Sequence, residues 1–155
     1  IIAFDVYDSR LALAKELGAT HIVKCDIKQA SNSIKNILGN RELDVFIDNT
    51  GIPEIIELGY KVIKPTGRLV LVGVPKLNSN ISIFSLPLHF GKSIIGSHGG
   101  ESNPDIDIPR YLNLLKIKKI DLKKIISKFL SLEDINEGIS FMEKGETAGR
   151  VIIKM

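Results

Sequence analysis

The sequence predicts an α/β fold built on a doubly wound parallel sheet, and three observations predict it. The chain opens on IIAFDV, an apolar strand ending in a carboxylate, Asp5, with the helical segment DSRLALAKELGA directly behind it. Strand-like and helix-like segments then alternate through the first two thirds of the 155 residues, the pattern of βαβ units. Finally, GRLVLVGV, residues 67–74, is a continuous apolar run of the kind that fits a parallel strand covered on both faces by helices.

The elements follow in order. Ile2–Val6 is a strand, and a helix runs from Ser9 to about Leu17, with Leu11, Ala14 and Leu17 on one face and Gly18 as its stop. A short strand covers His21–Val23. A weaker helix spans about Ser31 to Leu38, ended by Gly39, and the apolar core of DVFID makes a strand over Asp44–Asp48. Thr50-Gly51 closes that strand and Pro53 opens a helix to about Val62, because proline suits a first helical turn and glycine lets backbone approach closely. Pro65-Thr66-Gly67 turns the chain into the apolar run, and Ser93–Gly96, closed by the loop SHGG, is the last strand of the series. Beyond Gly100 the pattern changes. ESNPDID reads as a linker, and Pro109 begins a helix to about Ile117. Ser131 with Asp134 matches a capping box, Ile135, Ile139 and Met142 stripe the following helix, and Gly145 ends it. Arg150–Ile153 reads as a strand of a different sheet.

Composition narrows the function classes. A content of 44% hydrophobic and 25% charged residues is that of a soluble globular protein, and no apolar run approaches the roughly 18 residues of a membrane span. The net charge of +3 comes from scattered lysines. The densest run, LLKIKKIDLKKIISK, places isoleucine and leucine at helical spacing and reads as a solvated face over a core stripe, so no nucleic-acid or membrane partner is expected. The single Cys25 excludes an intrachain disulfide; it fits a buried or half-buried thiol in a reducing, cytoplasmic setting. There is no Ser-His-Asp order, no CxxC and no complete metal-ligand set, and His21 and His89 have no partner that sequence can name.

The segments IIAFDVYDSRLALAKELGA, DVFIDNTGIPE, PTGRLVLVGVP and LEDINEGISFMEKGETAGRVII, in this order and spacing, resemble the C-terminal part of the medium-chain alcohol dehydrogenases, the zinc-type enzymes and their zinc-free quinone-reductase relatives. The resemblance covers essentially the whole chain. It implies a Rossmann-type sheet over residues 1–101 and, over 102–155, a segment returning to the catalytic domain into which the cofactor domain is inserted. It also implies NAD as cofactor and a small alcohol or carbonyl compound as substrate. The catalytic zinc would be held only through residues absent from this chain, and the assembly would be a homodimer or tetramer. Family members pair through the edge of the last cofactor-domain strand, which here corresponds to residues from about Asn80 to Ser97. In the doubly wound order 3-2-1-4-5-6 the first strand is central, and these residues supply the second through the sixth. The expectation is therefore a sheet that is N-terminally incomplete, with a βα unit carrying the glycine-rich phosphate turn preceding Ile1.

Asp5 ends the second strand, where a carboxylate accepts hydrogen bonds from the adenosine ribose and repels a 2′-phosphate, which favours NAD; its plain alternative is capping of the next turn. Arg10 resembles the family's basic residue beside that ribose, or is simply an exposed helix residue. Thr50, Gly51, Val72, Gly73 and Val74 lie at the C-terminal ends of parallel strands, where α/β folds place ligands. By resemblance, backbone groups of the last three hold the nicotinamide carboxamide; core packing for the valines and turn geometry for the glycines compete with that reading. Ser97 and His98 fall where the family's chain passes the nicotinamide, His98 as a proton relay or as an idle loop residue. Arg150 matches the arginine that reaches the cofactor pyrophosphate, against a plain strand-edge role. No catalytic residue is expected in this chain. A zinc-free quinone or enone reductase is the alternative within the family, and a non-catalytic NAD-sensing domain the alternative outside it. A methyltransferase also sets an acid after its second strand, but the DNTG and VGVP turns speak against it.

Overall fold

The computed structural model describes residues 1–24, 26–118 and 121–155, so the expectation for Cys25 lies outside the described residues. The chain forms two compact units, one of residues 1–26 with 105–155 and one of residues 27–104.

The second unit carries a parallel sheet in the order β3-β4-β5, with β3 Leu43–Asp48, β4 Ile63–Leu71 and β5 Ser93–Gly96. Helices α2, Ile27–Leu38, and α3, Pro53–Val62, belong to it. α2 begins four residues before the expected start at Ser31 and buries Ala30 and Ile34. α3 starts at Pro53, whose missing N–H is harmless in a first turn, and buries Ile56, Gly59 and Tyr60. These join Ile63 and Leu69, packed round by Leu43, Phe46, Leu71, Ile83 and Ile94, to form the core. Gly59 allows the closeness of helix and sheet, since a Cβ there would lie 2.5 Å from the Phe46 ring. Pro65-Thr66-Gly67 is the irregular stretch of β4, across which the register with β3 jumps from Leu43↔Ile63 to Val45↔Arg68.

The expectation for β4 needs correction at both its end and its environment. The ladder stops at Leu71 rather than Val74, and Val72 and Val74 are exposed, so core packing does not account for them. Leu69 is fully buried beneath α3, but Val45, Ile47 and Ile95 on the other sheet face are open to solvent. The sheet is covered on one face, not two.

The first unit contains two parallel pairs. β1, Ile2–Asp5, pairs in register with β2, His21–Lys24, and α1, Asp8–Glu16, connects them, burying Leu11. β6, Ile126–Ser131, pairs with β7, Arg150–Lys154, through α5, Ile135–Glu143, so the terminal strand does lie in a separate sheet. β6 replaces part of the helical run expected over LLKIKKIDLKKIISK. There α4, Pro104–Lys118, is followed by a short 3-10 turn, Leu122–Ile125, on which the Asp121 carboxylate accepts from the Lys123 N–H at 2.9 Å. Residues 126–130 then alternate half-buried and exposed with the strand period of two. α4 starts at Pro104, not Pro109: Pro104 takes the first-turn role, acidic Asp105 and Asp107 suit a helix N-terminus, and Pro109 sits inside. ESNPDID is therefore half helix rather than linker. The Ser131 hydroxyl binds the Asp134 carboxylate at 2.8 Å, but Ser131 ends β6 and the helix begins only at Ile135. The Ile135, Ile139 and Met142 stripe is exposed.

The neighbour pairs β2-β1 and β3-β4-β5 are those of strands 3-2 and 4-5-6 in the doubly wound order, and among the described residues no hydrogen-bonded strand pair joins the two sheets. The fold is α/β with parallel sheets of Rossmann type.

Candidate functional site

Register places Asp48, Leu71 and Gly96 side by side at the C-terminal ends of β3, β4 and β5. The three segments singled out in the second unit, Thr50-Gly51, Val72-Gly73-Val74 and Ser97-His98, therefore leave the sheet next to one another. Asp48, 1% exposed, organises the first two. Its Oδ1 accepts from the Thr50 N–H at 3.0 Å and the Thr50 hydroxyl at 2.6 Å, and its Oδ2 accepts from the Gly51 N–H at 2.9 Å. Its main-chain carbonyl takes the N–H groups of Val72 at 2.8 Å and Gly73 at 2.9 Å. The turns are packed backbone to backbone. A Cβ on Gly73 would lie 2.2 Å from the Gly51 nitrogen, and one on Gly51, at φ 68°, would lie 2.5 Å from the Val74 carbonyl. No other residue fits at either position. Val72 and Val74 stand 46% and 89% exposed beyond the sheet edge.

Ser97 extends the edge. Its N–H donates to the Leu71 carbonyl at 2.8 Å, and its hydroxyl accepts from the Gly100 N–H at 3.2 Å. His98 is exposed, and its main-chain carbonyl accepts from the Glu101 N–H at 3.0 Å. Gly99 and Gly100 both have positive φ and open space where a side chain would be, so the loop offers bare backbone.

In the first unit Asp5 stands at the tip of β1. Its Oδ1 accepts from the Tyr7 N–H at 3.0 Å, so the turn-capping role is real, and its Oδ2 lies 3.8 Å from Arg10 Nη1. The Arg10 guanidinium also stacks on the Tyr7 ring, 4.6 Å from its centroid. Asp5 keeps 27% and Arg10 40% side-chain exposure, leaving both able to meet a ligand. Such an open ion pair contributes at most about 1 kcal/mol to stability. Tyr7 escaped the sequence reading: its ring lies against Gly145, where a Cβ would be 2.5 Å from Tyr7 Cζ, so the turn after β1 is seated on the turn after α5. Its signal was an aromatic two places after the strand-end acid. Arg150, first residue of β7, is exposed opposite Ile126. Among the described residues no group of three or more His, Cys, Asp or Glu side chains is placed to hold a metal ion, and no helix is long and apolar enough to cross a membrane.

The family model described as zinc-binding dehydrogenase matches residues 1–116. The chain belongs to the zinc-binding dehydrogenase family. It is 34% identical to an alcohol dehydrogenase of Geobacillus stearothermophilus over 100% of its own length and 43% of that protein. Benzyl alcohol dehydrogenase from Acinetobacter calcoaceticus superimposes with a TM-score of 0.87 at 32% identity, over 100% of this chain and 42% of that one. A protein of Sinorhizobium meliloti assigned to the zinc-binding dehydrogenases, solved bound to NADP, gives a TM-score of 0.71 at 25% identity over 90% and 40%. The chain thus spans less than half the length of the dehydrogenases it matches.

Proposed function

We propose that the protein carrying this chain is an NAD-dependent, zinc-type alcohol or polyol dehydrogenase, and that residues 1–101 bind the cofactor while 102–155 belong to its catalytic part. The observation that carries this reading is the row of strand ends: Asp48, Leu71 and Gly96 aligned, with the glycine-containing turns 72–74 and 97–100 beyond them. A nicotinamide ring needs such a surface, since hydrogen bonds from fixed backbone groups orient its carboxamide without bulk. When bound, the cofactor accepts hydride from the alcohol carbon or returns it to a carbonyl.

In this reading Asp5 accepts from the adenosine ribose hydroxyls, Arg10 borders the ribose, and Arg150 grips pyrophosphate oxygens with its planar guanidinium. Val72, Gly73 and Val74 hold the carboxamide, with Thr50 and Gly51 beneath them and Ser97 and His98 alongside. The described residues do not fit a zinc ion, so the metal's ligands would be other residues of the protein. A small alcohol or carbonyl substrate, a cytoplasmic setting and homo-oligomers complete the proposal.

The test is a pair of dissociation constants, for NAD and NADP, on the full-length protein and on Asp5→Ser. The parent should prefer NAD by at least tenfold, because the carboxylate gains about 1.5–3 kcal/mol from the ribose hydroxyls and repels a 2′-phosphate. In the variant the preference should shrink. Equal affinities in the parent would remove NAD specificity from the proposal, and metal content of the same preparation separates it from the zinc-free reductases.

A further inference from the structure

Asp48 was read from sequence only as the last residue of a strand, yet it is the best-connected side chain of the site. Its two carboxylate oxygens receive three donors from Thr50 and Gly51, and its carbonyl receives two more from Val72 and Gly73. One buried residue at the end of β3 thus holds both the turn that follows its own strand and the turn that follows β4. A carboxylate suits this place because it only accepts: each of the three donors that face it is an N–H or O–H, and no asparagine amide can receive them all. The Thr50 hydroxyl continues the network, accepting from the Ile52 N–H at 3.1 Å ahead of the first turn of α3. The two turns have no slack, since the Gly73 Cα faces the Thr50 and Gly51 nitrogens at distances that admit no methyl group.

From this geometry we infer that Asp48 is a positioning residue for the nicotinamide end of the cofactor, setting the height of the 72–74 backbone through the 49–51 turn without touching the ligand. The inference rests on the cofactor reading above and deepens it by assigning Asp48 to the nicotinamide end of the cofactor, where that reading assigns Asp5 and Arg10 to the adenosine end. Replacing one carboxylate oxygen by an NH2 group sets a donor against the Thr50 or Gly51 N–H and forces the turn to move. The adenosine contacts stand on other elements and are left alone.

The test uses the full-length protein and two ligands, NAD and ADP-ribose, the second lacking the nicotinamide. In Asp48→Asn, NAD affinity should fall roughly tenfold, the consequence of one buried donor losing its partner, while ADP-ribose affinity stays within about twofold. Thr50→Val, which removes the hydroxyl that donates to Asp48 and accepts from the Ile52 N–H, should give a loss in the same direction and keeps the question open to decision if Asp48→Asn does not fold. Parent-like binding of both ligands by the folded variants would overturn the inference, and so would equal losses of both, which indicate a merely structural role. A parent that binds ADP-ribose but gains nothing from the nicotinamide overturns the inference alone. A parent that binds neither ligand overturns the cofactor reading and the inference with it.

Discussion

Single side chains in this chain hold the fold by closing off backbone groups that it leaves open. Lys92 is the structural counterpart of Asp48. It is 9% exposed, its ammonium donates to the carbonyls of Tyr60 at 2.8 Å and Ile63 at 3.0 Å, and it lies 4.7 Å from the Tyr60 ring centroid. A cation there closes the C-terminal end of α3, where unsatisfied carbonyls and the helix dipole both favour positive charge. Burial pushes the lysine's pKa below its ordinary value. The unfolded chain therefore holds more protons just below that ordinary value, and Lys92 makes stability rise with pH through this alkaline window. Lys92→Met should cost roughly 1–3 kcal/mol in the full-length protein, because two buried carbonyls lose their donor, and should flatten the alkaline rise. An unchanged denaturation midpoint would contradict this account. Asp48 and Lys92 also show what sequence leaves hidden at this scale. Asp5, Gly51 and Gly73 were legible, being a strand-end acid and turn glycines at recognisable positions. A D-x-T-G run advertises a side-chain-capped turn only once the second turn it supports is known to be adjacent.

At the scale of elements, legibility followed punctuation. α3 was readable at both ends because Pro53 opens it and the Pro65-Thr66-Gly67 irregularity follows. β6 was not, because ISKFLS follows a lysine and isoleucine run whose spacing satisfies a helix, and only its partner β7, some twenty residues on, makes the strand the better use of those residues. The edge strand β5 carries the assembly prediction. Among the described residues β5 pairs on one side only, with β4, and the nearby segment 81–84 is not a strand but is tied to α3. The Ser82 N–H donates to Glu57 at 2.7 Å, and the Tyr60 hydroxyl donates to the Phe84 carbonyl at 2.8 Å. Anchored in this way, Phe84 stands 70% and Phe90 71% exposed, an arrangement that wastes two aromatic rings unless another chain covers them. Residues 80–97 should therefore form a homodimer surface. Light scattering on the full-length protein at micromolar concentration should give at least a dimer, and Phe84→Asp should shift it toward monomer. A monomeric parent counts against the assignment.

For the molecule as a whole, surface area is the informative quantity. Two separate globular units of half this mass would together expose roughly 9,300 Å² by the scaling of compact proteins. This chain exposes 11408 Å². Exposed apolar side chains contribute to it: Val45, Ile47 and Ile95 on one sheet face, Ile106, Tyr111, Leu112, Leu114 and Ile117 on α4, and Ile135, Ile139 and Met142 on α5. Backbone edges add to it, since β1 and β3 each have a hydrogen-bonded neighbour on one side only among the described residues. Faces and edges of this kind are stable only when something covers them, and at about 25 cal/mol for each Å² the incentive is several kcal/mol for even a few hundred Å². Expressed as residues 1–155 alone, the chain should therefore self-associate, exchange strands or precipitate, and it should bind the hydrophobic dye ANS far more strongly than the full-length protein does. Size-exclusion chromatography with light scattering, run beside the full-length protein, makes the comparison directly. A monodisperse 17.1 kDa monomer with a cooperative unfolding transition and no dye binding would overturn this account of the apolar faces and strand edges.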